Sequence, residues 1–499
     1  MRQTAVLGYL CGIIWYLGNC YWIYQTMYLY GGLERVIAAG ILILFCLYLG
    51  LYHAFFGFLV GSFRRSHFGI QGALLLSPFA WVAVELARAR ITGFPWDLLG
   101  IAQVDNSLLT RLAPVTGAFG LSFVIVVVNA LWLIRIRIRE RPHTRQILTF
   151  AGAACIVFYF VMLRRAQPPS YLVTNSTATL IQENLGVGME SHTRFETTSQ
   201  LTDSFTQLSL YPPADRCIGI PELPSTRCIH FQSNSPGGTR SVTSTDLIVW
   251  PESPAGFRSD DLIFRDRLAT LARTASAPLV IGSLGVAPDP SSARGGHVYD
   301  SANLILGDGT NMGRYDKIHL VPWGEYIPFK EFFFFAKKLT AGAGDMDRGT
   351  NRTVFHAAER TRGGTADHAY GVFICYESIF GDEVRQFVKN GAEVLVNISD
   401  DGWYGDTSAA WQHLNMVRMR AIENHRWILR STNTGVTAAI DPYGRVTAAA
   451  PRHIRTALHT GFNYEQEVTF YTAHGDLFAY ACSFVTVLAL MYSLTHKMN

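Results

Sequence analysis

The segment YGVFICYESIFGDEVRQF, residues 370–387, combines a strand pattern, a helix pattern and a cysteine between them. Its apolar run, residues 372–374, is typical of a buried strand, and the sequence from Ser378 onward has the amphipathic spacing of a helix. The cysteine, Cys375, lies at the junction. A thiol near the positive end of a helix dipole is favoured as a thiolate. A buried, inert structural cysteine is the alternative, and residues elsewhere in the chain must decide.

The composition indicates a membrane protein with a water-soluble part. Of 499 residues, 49% are hydrophobic and only 16% are charged, and the mean hydropathy is positive. Apolar segments cluster before residue 165 and at the C-terminus, and each approaches the roughly 20 residues that cross a hydrocarbon core. The sequence therefore predicts a bundle of about six transmembrane helices. The segments run over residues 6–30, 36–61, 68–91, 112–134, 147–163 and 477–495.

Basic residues set the predicted orientation of these helices. Arg64 and Arg65 follow the second segment, and a cluster of arginines follows the fourth. By the positive-inside rule both loops are cytoplasmic, which places residues 166–474 outside the cytoplasm. The third segment carries Glu85 and Arg88, which are costly in lipid, so we expect them to face the protein interior or the interface.

The soluble region alternates short apolar strands with helical segments, which predicts an α/β domain of two layers or a sandwich. We divide the chain into a transmembrane region (residues 1–165), a soluble domain (166–474) and a C-terminal transmembrane helix (475–499). Neither a zinc-type Cys/His spacing nor a glycine-rich phosphate motif is present, so we predict no metal and no cofactor. The net charge of +4 follows from membrane orientation and predicts no nucleic-acid partner.

The cysteines do not predict a disulfide scaffold. Five of the eight lie in apolar segments, and Cys217 and Cys228 lie in the soluble region. A disulfide between those two remains open outside the cytoplasm. If it forms, Cys375 is the unpaired thiol of the soluble region.

Three predicted strand ends or turns carry a reactive group. Glu252 ends the strand TDLIVWPES, Lys317 lies in YDKIHLVPWGEYIP, and Cys375 follows the strand quoted above. A carboxylate can take the proton of a thiol, a thiolate can form a thioester, and an ammonium can offset the charge of a tetrahedral intermediate. Taken alone, each residue has an ordinary structural explanation: Glu252 as a cap, Lys317 as a solvated side chain and Cys375 as a core cysteine. Together they predict acyl transfer.

The motifs WPES, DKIHLVPWGEYIP and CYES occur in the order of the Glu-Lys-Cys triad and resemble the nitrilase, or carbon-nitrogen hydrolase, superfamily. Further stretches, TGFPW at residues 92–96, MRAIENHR and RSTNTGVTA, resemble the apolipoprotein N-acyltransferase family. The resemblance implies a nitrilase-like αββα sandwich on the periplasmic side of a bacterial inner membrane. It also implies transfer of an acyl chain from a membrane phospholipid, through a cysteine thioester, to the α-amino group of the diacylglyceryl-cysteine of apolipoproteins.

The resemblance also assigns roles to individual residues. Glu252 is the expected base, Lys317 the oxyanion stabiliser and Cys375 the nucleophile. Five further residues match positions that support the site or line it. They are Glu325, Tyr376, Glu377, Trp403 and Asn303.

The chain departs from the family pattern at several places. Many members begin with two further transmembrane helices, so we expect six spans here in place of eight. Residues 184–195 lack a tryptophan that members often carry, and Asp400 stands where asparagine is commoner. The stretch KEFFFFAKKLTAGAG, residues 330–344, joins phenylalanines to lysines, and we expect a membrane-touching arm there unless the phenylalanines belong to the core.

Two other functions compete with acyl transfer. A membrane-tethered nitrilase-type amidase would use the same three residues with water as the acceptor. A non-catalytic lipoprotein-binding protein would be expected to lose at least one of Glu252, Lys317 and Cys375, and all three are present. We expect a monomer.

Overall fold

The computed structural model describes residues 1–137, 172–187, 197–212, 242–252, 256–291, 295–326, 346–361 and 364–496. The chain separates into two units. The first comprises Met1–Tyr21, Gly40–Val173 and His474–Asn499, and the second comprises Trp22–Ala39 and Thr174–Ala473. The short segment Trp22–Ala39 lies within the predicted transmembrane region, residues 1–165, but groups with the second unit.

The helices and strands alternate in the order that the sequence pattern predicts. The helices are α1 (Arg2–Asn19), α2 (Trp22–Gln25), α3 (Arg35–Arg65), α4 (Gly69–Ala87), α5 (Ala113–Arg137), α6 (Thr198–Leu210), α7 (Leu262–Ala275), α8 (Gly381–Lys389), α9 (Ala409–Asn424), α10 (Phe470–His474) and α11 (Leu477–Thr495). The strands are β1 (Ser176–Gln182), β2 (Leu247–Val249), β3 (Leu279–Pro288), β4 (Gly296–Ile305), β5 (Asn311–Asp316), β6 (Val354–Thr361), β7 (Gly364–Ile374), β8 (Val394–Ser399), β9 (Ile428–Thr432), β10 (Ala438–Ile440), β11 (Val446–Ala449) and β12 (Thr456–Phe462).

Within the described residues, four helices are long and apolar enough to cross a membrane, and a bent pair raises the number to five. The predicted segment 6–30 is this pair, since α1 and Trp22–Tyr30 meet at 53°. Gly18 and Asn19, both poor helix formers, precede the break between the two helices. The predicted segment 147–163 lies outside the described residues. The four long helices are Arg35–Arg65, Gly69–Thr92, Leu109–Ile136 and Leu477–Thr495.

The charged pair in the third segment lies inside the first unit, as expected. Glu85 and Arg88 are both buried. Arg88 donates to the carbonyl oxygens of Trp96 and Asp97, and Glu85 accepts from the backbone N–H of Leu99 at 2.8 Å. The two side chains thus supply the hydrogen bonds that a turn lacks in an apolar environment.

The second unit contains two six-stranded sheets. One has the order β12-β1-β2-β3-β4-β5 and the other β11-β10-β9-β8-β7-β6. The hydroxyl of Ser431 on β9 donates to the carbonyl oxygens of Ile181 and Val249 in the first sheet, so the sheets face each other. Each sheet contains parallel neighbours, β1-β2-β3 and β7-β8-β9. Parallel strands are normally covered on both faces.

Helices cover the outer faces of both sheets. Phe205 of α6 and Leu268 of α7 belong to one buried cluster with Ile248 of β2 and Ile281 of β3. On the other sheet, Phe387 of α8 lies so close to β7 that a Cβ at Gly371 would approach its Cβ to 2.8 Å. The predicted αββα sandwich is confirmed.

The segment quoted at the start begins within β7, which forms a hairpin with β6 and ends at Ile374. The residues that follow form a 3-10 turn, Cys375–Ile379, and α8 begins only at Gly381. The expectation that Ser378 opens the helix was therefore wrong. The side chain of Glu377 accepts from the N–H of Ile374 at 2.7 Å, which closes a tight turn directly after the strand.

Candidate active site

The backbone of Cys375 adopts a conformation that a non-glycine residue rarely takes. Its φ is 47°, in the left-handed region, and its side chain is buried with 6% exposure. Such a conformation costs of order 1–3 kcal/mol and persists only when the surroundings impose it. The sharp turn places Cys375, the first residue of the 3-10 turn, at the end of β7, a strand that is paired on both sides.

Burial, not the helix dipole, dominates the electrostatics of the thiol. Burial raises the pKa of Cys375 well above its ordinary value, and the nearby Glu252 carboxylate raises it further, while Lys317 acts in the opposite direction. The expectation of a favoured thiolate was therefore wrong for the resting site. The reason is that α8 begins six residues after the cysteine, whereas helix-dipole effects fall off within the first turn. A thiol in this state needs a base at the moment of reaction.

Three carboxyl groups surround the amine of Lys317, which is fully buried. Its Nζ lies 2.7 Å from Glu252 Oε1, 2.6 Å from Glu325 Oε1 and 3.1 Å from Asp300 Oδ2. Burial acts to lower the pKa of Lys317, but the three carboxyl groups outweigh it and raise the pKa well above the ordinary value. The lysine is therefore an ammonium ion. The same three carboxyl groups lie close enough together to hold a metal ion, and the ammonium contacts all of them.

Asp300 is a member of this cluster that the sequence did not identify. Burial raises the pKa of its carboxyl group well above the usual range, and the neighbouring Glu252 carboxylate raises it further. One ammonium cannot neutralise three buried carboxylates, so a protonated Asp300 relieves the excess negative charge. The signal available in the sequence was the succession of strands. Asp300 lies on β4, and Lys317 directly follows the neighbouring strand β5.

Glu252 and Glu325 are both fixed by a second contact. The remaining oxygen of Glu252, Oε2, accepts from the backbone N–H of Asp400 at 2.8 Å, and Oε2 of Glu325 accepts from the N–H of Val321 at 3.0 Å. Burial raises the pKa of Glu325, although Lys317 opposes the shift. Each of the two carboxyl groups thus accepts a hydrogen bond from the Lys317 ammonium with one oxygen and from a backbone N–H with the other.

Glu377 ties the lysine loop to the cysteine turn. Its Oε1 accepts from the hydroxyl of Tyr315 at 2.7 Å and from the N–H groups of Ile318 and His319 at 2.7 and 3.1 Å. Its other oxygen accepts from the N–H of Ile374. One fully buried carboxyl group therefore holds the residues beside Lys317 and Cys375 together.

The aromatic residues occupy different surroundings. Tyr376 is buried, and its ring packs edge-on against Phe380 with centroids 5.5 Å apart. Trp403 lies in the 3-10 turn Asp401–Tyr404, is half-buried, and contacts the ring of Tyr30. Its carbonyl oxygen accepts from the hydroxyl of Thr26 at 3.1 Å. The segment Trp22–Tyr30 thus packs against the loop that carries Trp403.

The structure does not bring Asn303 into the lysine cluster. Asn303 follows Asp300 by three positions on β4, and side chains separated by an odd number of positions on a strand point to opposite faces. Its side-chain amide donates to the hydroxyl of Ser283 on β3. Cys217, Cys228 and the stretch 330–344 lie outside the described residues.

A second buried network lies against the cysteine, and the sequence did not identify it either. The imidazole of His413 on α9 is in hydrogen-bond contact with both the backbone carbonyl of Cys375 and the carboxylate of Asp401. Arg430 on β9 also contacts Asp401, at 2.6 Å. All three charged or polar side chains are fully buried. His413 ends the stretch WYGDTSAAWQH, residues 403–413, whereas Asp401 and Arg430 lie outside it, so no local spacing shows that the three residues meet.

Two sequence profiles match the chain. The profile of carbon-nitrogen hydrolases matches residues 179–460, which is more than half of the chain and includes both sheets. The profile of the N-terminal domain of apolipoprotein N-acyltransferases matches residues 1–131.

Similar proteins cover nearly the whole length. A protein of Geobacter metallireducens named apolipoprotein N-acyltransferase is 32% identical over 487 residues, which is 96% of this chain and 85% of that protein. One of the same name from Methylococcus capsulatus is 31% identical over 478 residues, 95% of this chain and 84% of that protein. Among solved structures, Saccharomyces cerevisiae Nit3, of the nitrilase superfamily, has 16% identity and a TM-score of 0.38, covering 61% of this chain and 96% of that one.

Proposed function

This chain belongs to the apolipoprotein N-acyltransferase family of carbon-nitrogen hydrolases, and from that premise we propose how it carries out acyl transfer. A fatty acyl chain passes from a membrane phospholipid to Cys375 as a thioester, and then to the α-amino group of the N-terminal diacylglyceryl-cysteine of apolipoproteins. The observation that carries this proposal is the buried contact of Lys317 with Glu252 next to a strained, protonated Cys375.

In the first half-reaction, Glu252 accepts the thiol proton as the sulfur of Cys375 attacks the ester carbonyl of the phospholipid. A base is required because the thiol is protonated at rest. The negative charge that develops on the carbonyl oxygen is stabilised by the ammonium of Lys317. The ester C–O bond then breaks, and the lysophospholipid oxygen leaves with the proton held by Glu252. The product is the thioester.

In the second half-reaction, the α-amino group of the apolipoprotein attacks the thioester carbonyl while Glu252 accepts its proton. The C–S bond breaks, the amide forms, and the thiolate of Cys375 takes the proton back from Glu252. One carboxyl group serves both halves because its second oxygen stays fixed by the N–H of Asp400. Glu325 and Glu377 support this arrangement through Lys317 and the two loops.

We place the enzyme in the bacterial cytoplasmic membrane as a monomer, with residues 166–474 on the periplasmic side and transmembrane helices at residues 1–165 and 475–499. The apolar helices support a membrane location, and the arginine-rich loops support this orientation. The proposed steps use the side chains of Glu252, Lys317 and Cys375 and call for no cofactor, metal or nucleic acid. We retain Tyr376 and Trp403 as residues that bind substrate or support the site.

Intact mass spectrometry of the purified protein incubated with phospholipid vesicles tests the proposal. We expect a fatty-acyl adduct that hydroxylamine releases and that is absent in Cys375→Ala. Cys11→Ala, at an exposed cysteine of α1, should retain the adduct. Glu252→Gln keeps an acceptor for Lys317 but cannot take a proton, so loading should fall by about 10²–10⁴-fold.

The same experiment separates acyl transfer from the amidase alternative, which the similar proteins do not favour. An amidase would hydrolyse small amides and form no adduct with phospholipid. That result, with native folding confirmed by thermal unfolding in detergent, would replace the proposal with the alternative.

A further inference from the structure

His413 connects the nucleophile to a buried charged network. Its Nε2 lies 3.0 Å from the backbone carbonyl oxygen of Cys375, and its Nδ1 lies 2.8 Å from Oδ1 of Asp401. The side chain is fully buried, in the second turn of α9. A buried histidine can serve for packing alone. Here, however, Nε2 of His413 contacts the backbone carbonyl of Cys375, the proposed nucleophile.

The carbonyl of Cys375 is a sensitive place for such a contact. The left-handed φ of 47° is a conformation that this residue does not adopt unless its neighbours hold it. On the N-terminal side, Glu377 fixes the N–H of Ile374. On the C-terminal side, His413 fixes the carbonyl of Cys375 itself. The two hydrogen bonds therefore hold the backbone on both sides of the strained Cys375.

The hydrogen on Nε2 follows from its partner. A carbonyl oxygen only accepts, so Nε2 must be the donor in either charge state of the ring. Burial lowers the pKa of His413, Asp401 acts to raise it, and Arg430 acts to lower it. In the neutral ring Nδ1 accepts from Nη2 of Arg430, which lies 3.2 Å away, and Asp401 acts on the ring through Arg430, which it binds. In the charged ring Nδ1 donates to Asp401 directly.

The anchor behind His413 is itself rigid. Burial acts to raise the pKa of Asp401, but Arg430 and His413 outweigh it and hold the pKa well below the ordinary value, so Asp401 is ionised. The hydroxyl of Ser399 also donates to Asp401, at 3.0 Å, and Arg430 is further bound to the side chain of Asn397. Ser399 and Asn397 are on β8, the parallel neighbour of β7. The network is therefore attached to the sheet that carries the nucleophile.

We propose that His413 is a positioning residue, which holds the carbonyl of Cys375 through Nε2–H and so keeps the thiol in its reactive orientation beside Glu252 and Lys317. The proposal rests on Cys375 being the nucleophile, as proposed above. It adds Asp401 and Arg430 as the groups that fix the imidazole. His413 touches no substrate and acts only through the backbone of Cys375.

The test uses the full-length protein in detergent and a p-nitrophenyl ester, a small acyl donor that reports acylation of Cys375 without phospholipid or apolipoprotein. His413→Leu removes the hydrogen bond, and the maximal rate of the p-nitrophenolate burst should fall about 100-fold, since misplacement by about 1 Å has that effect. The ester concentration at half-maximal rate should not change. His413→Gln, whose amide can donate to the same carbonyl, should recover at least about a tenth of the native rate.

His413→Asn, which is too short to reach the carbonyl, should behave like His413→Leu, and His356→Gln, at an exposed histidine of β6, should behave like the native protein. Equal burst rates in folded Gln and Asn variants would overturn the proposal. So would unfolding of both variants while His356→Gln stays folded, because His413 would then be a core residue only. If the native protein gives a burst on Cys375 with the ester but no adduct with phospholipid, the proposed function fails while the positioning role is still measured.

Discussion

Asp400 illustrates how burial creates a pH dependence at this site. Its carboxylate accepts from the N–H of Gly402 at 3.0 Å, from the amide of Asn433 at 3.0 Å and from the hydroxyl of Thr434 at 3.3 Å. Despite these donors, burial raises its pKa to about 6. Because the folded-state pKa lies above the unfolded value of 3.8, the protonated form contributes stability below pH 4 that is lost as the pH rises through 6.

We predict that Asp400→Asn removes this pH-dependent loss of stability. In the native protein, ionisation of Asp400 should lower the free energy of unfolding by up to about 3 kcal/mol between pH 4 and pH 8. The asparagine variant should show a flatter profile over the same range, measured as the thermal unfolding midpoint in detergent at a series of pH values. Asp266→Asn, at an exposed aspartate of α7, is the control and should follow the native curve. A variant profile as steep as the native one would contradict the prediction.

The sequence could predict residues whose motif is local but not residues that meet through the fold. Glu252, Lys317 and Cys375 each end a recognisable strand or turn, so their chemistry could be inferred. Asp300 and His413 could not, because their roles depend on which strand and helix lie next to one another. The direction of the thiol pKa was also mispredicted, since burial is a property of the folded site rather than of a neighbouring segment.

At the scale of elements, the close approach of α8 and α9 depends on Gly381, the first residue of α8. A Cβ at this position would lie 2.7 Å from Nη1 of Arg420 and 2.8 Å from the hydroxyl of Tyr471. Arg420 cannot easily move away, because it is buried and bound to Glu423 and to the carbonyl of Ile379 in the cysteine turn. The start of α8 therefore sits in a space that only glycine fits.

We predict that Gly381→Ala destabilises the second unit by about 1–3 kcal/mol, as overpacking of a core does. The measurement is the thermal unfolding midpoint in detergent, followed by acyl loading at a temperature where the variant is folded. Gly256→Ala is the matched control, because its Cβ would meet only one side-chain atom of Leu284, at 4.0 Å. Equal midpoints for both variants would show that α8 can shift without cost.

The same helix shows why an element boundary was mispredicted. The amphipathic pattern after Cys375 is genuine, and α8 buries Val384 and Phe387. However, the backbone must first complete a 3-10 turn around Glu377. That turn is imposed by the hydrogen bonds of a buried carboxyl group, which leave no periodic signal in the sequence.

At the scale of the whole molecule, the proposed orientation makes a prediction about accessibility. Leu262, at the start of α7, is 75% exposed, and His67, between α3 and α4, is also exposed. In cells with a permeabilised outer membrane, a membrane-impermeant maleimide should label Leu262→Cys and should not label His67→Cys. The background should carry Cys217→Ser and Cys228→Ser. Labelling of His67→Cys without labelling of Leu262→Cys would show that the orientation is the opposite of the proposed one.

The second unit is discontinuous in sequence, and this has a consequence for how the protein is made. Thr26 and its partner Trp403 are 377 residues apart, and Trp22 packs on Tyr404. At about 5–20 residues per second, a ribosome needs roughly 20–75 s to travel between them. During that time the aromatic segment Trp22–Tyr30 has been synthesised, but the loop that covers it has not. The loop that carries Trp403 is thus completed late in translation, and the rings of the early segment lack this cover until then.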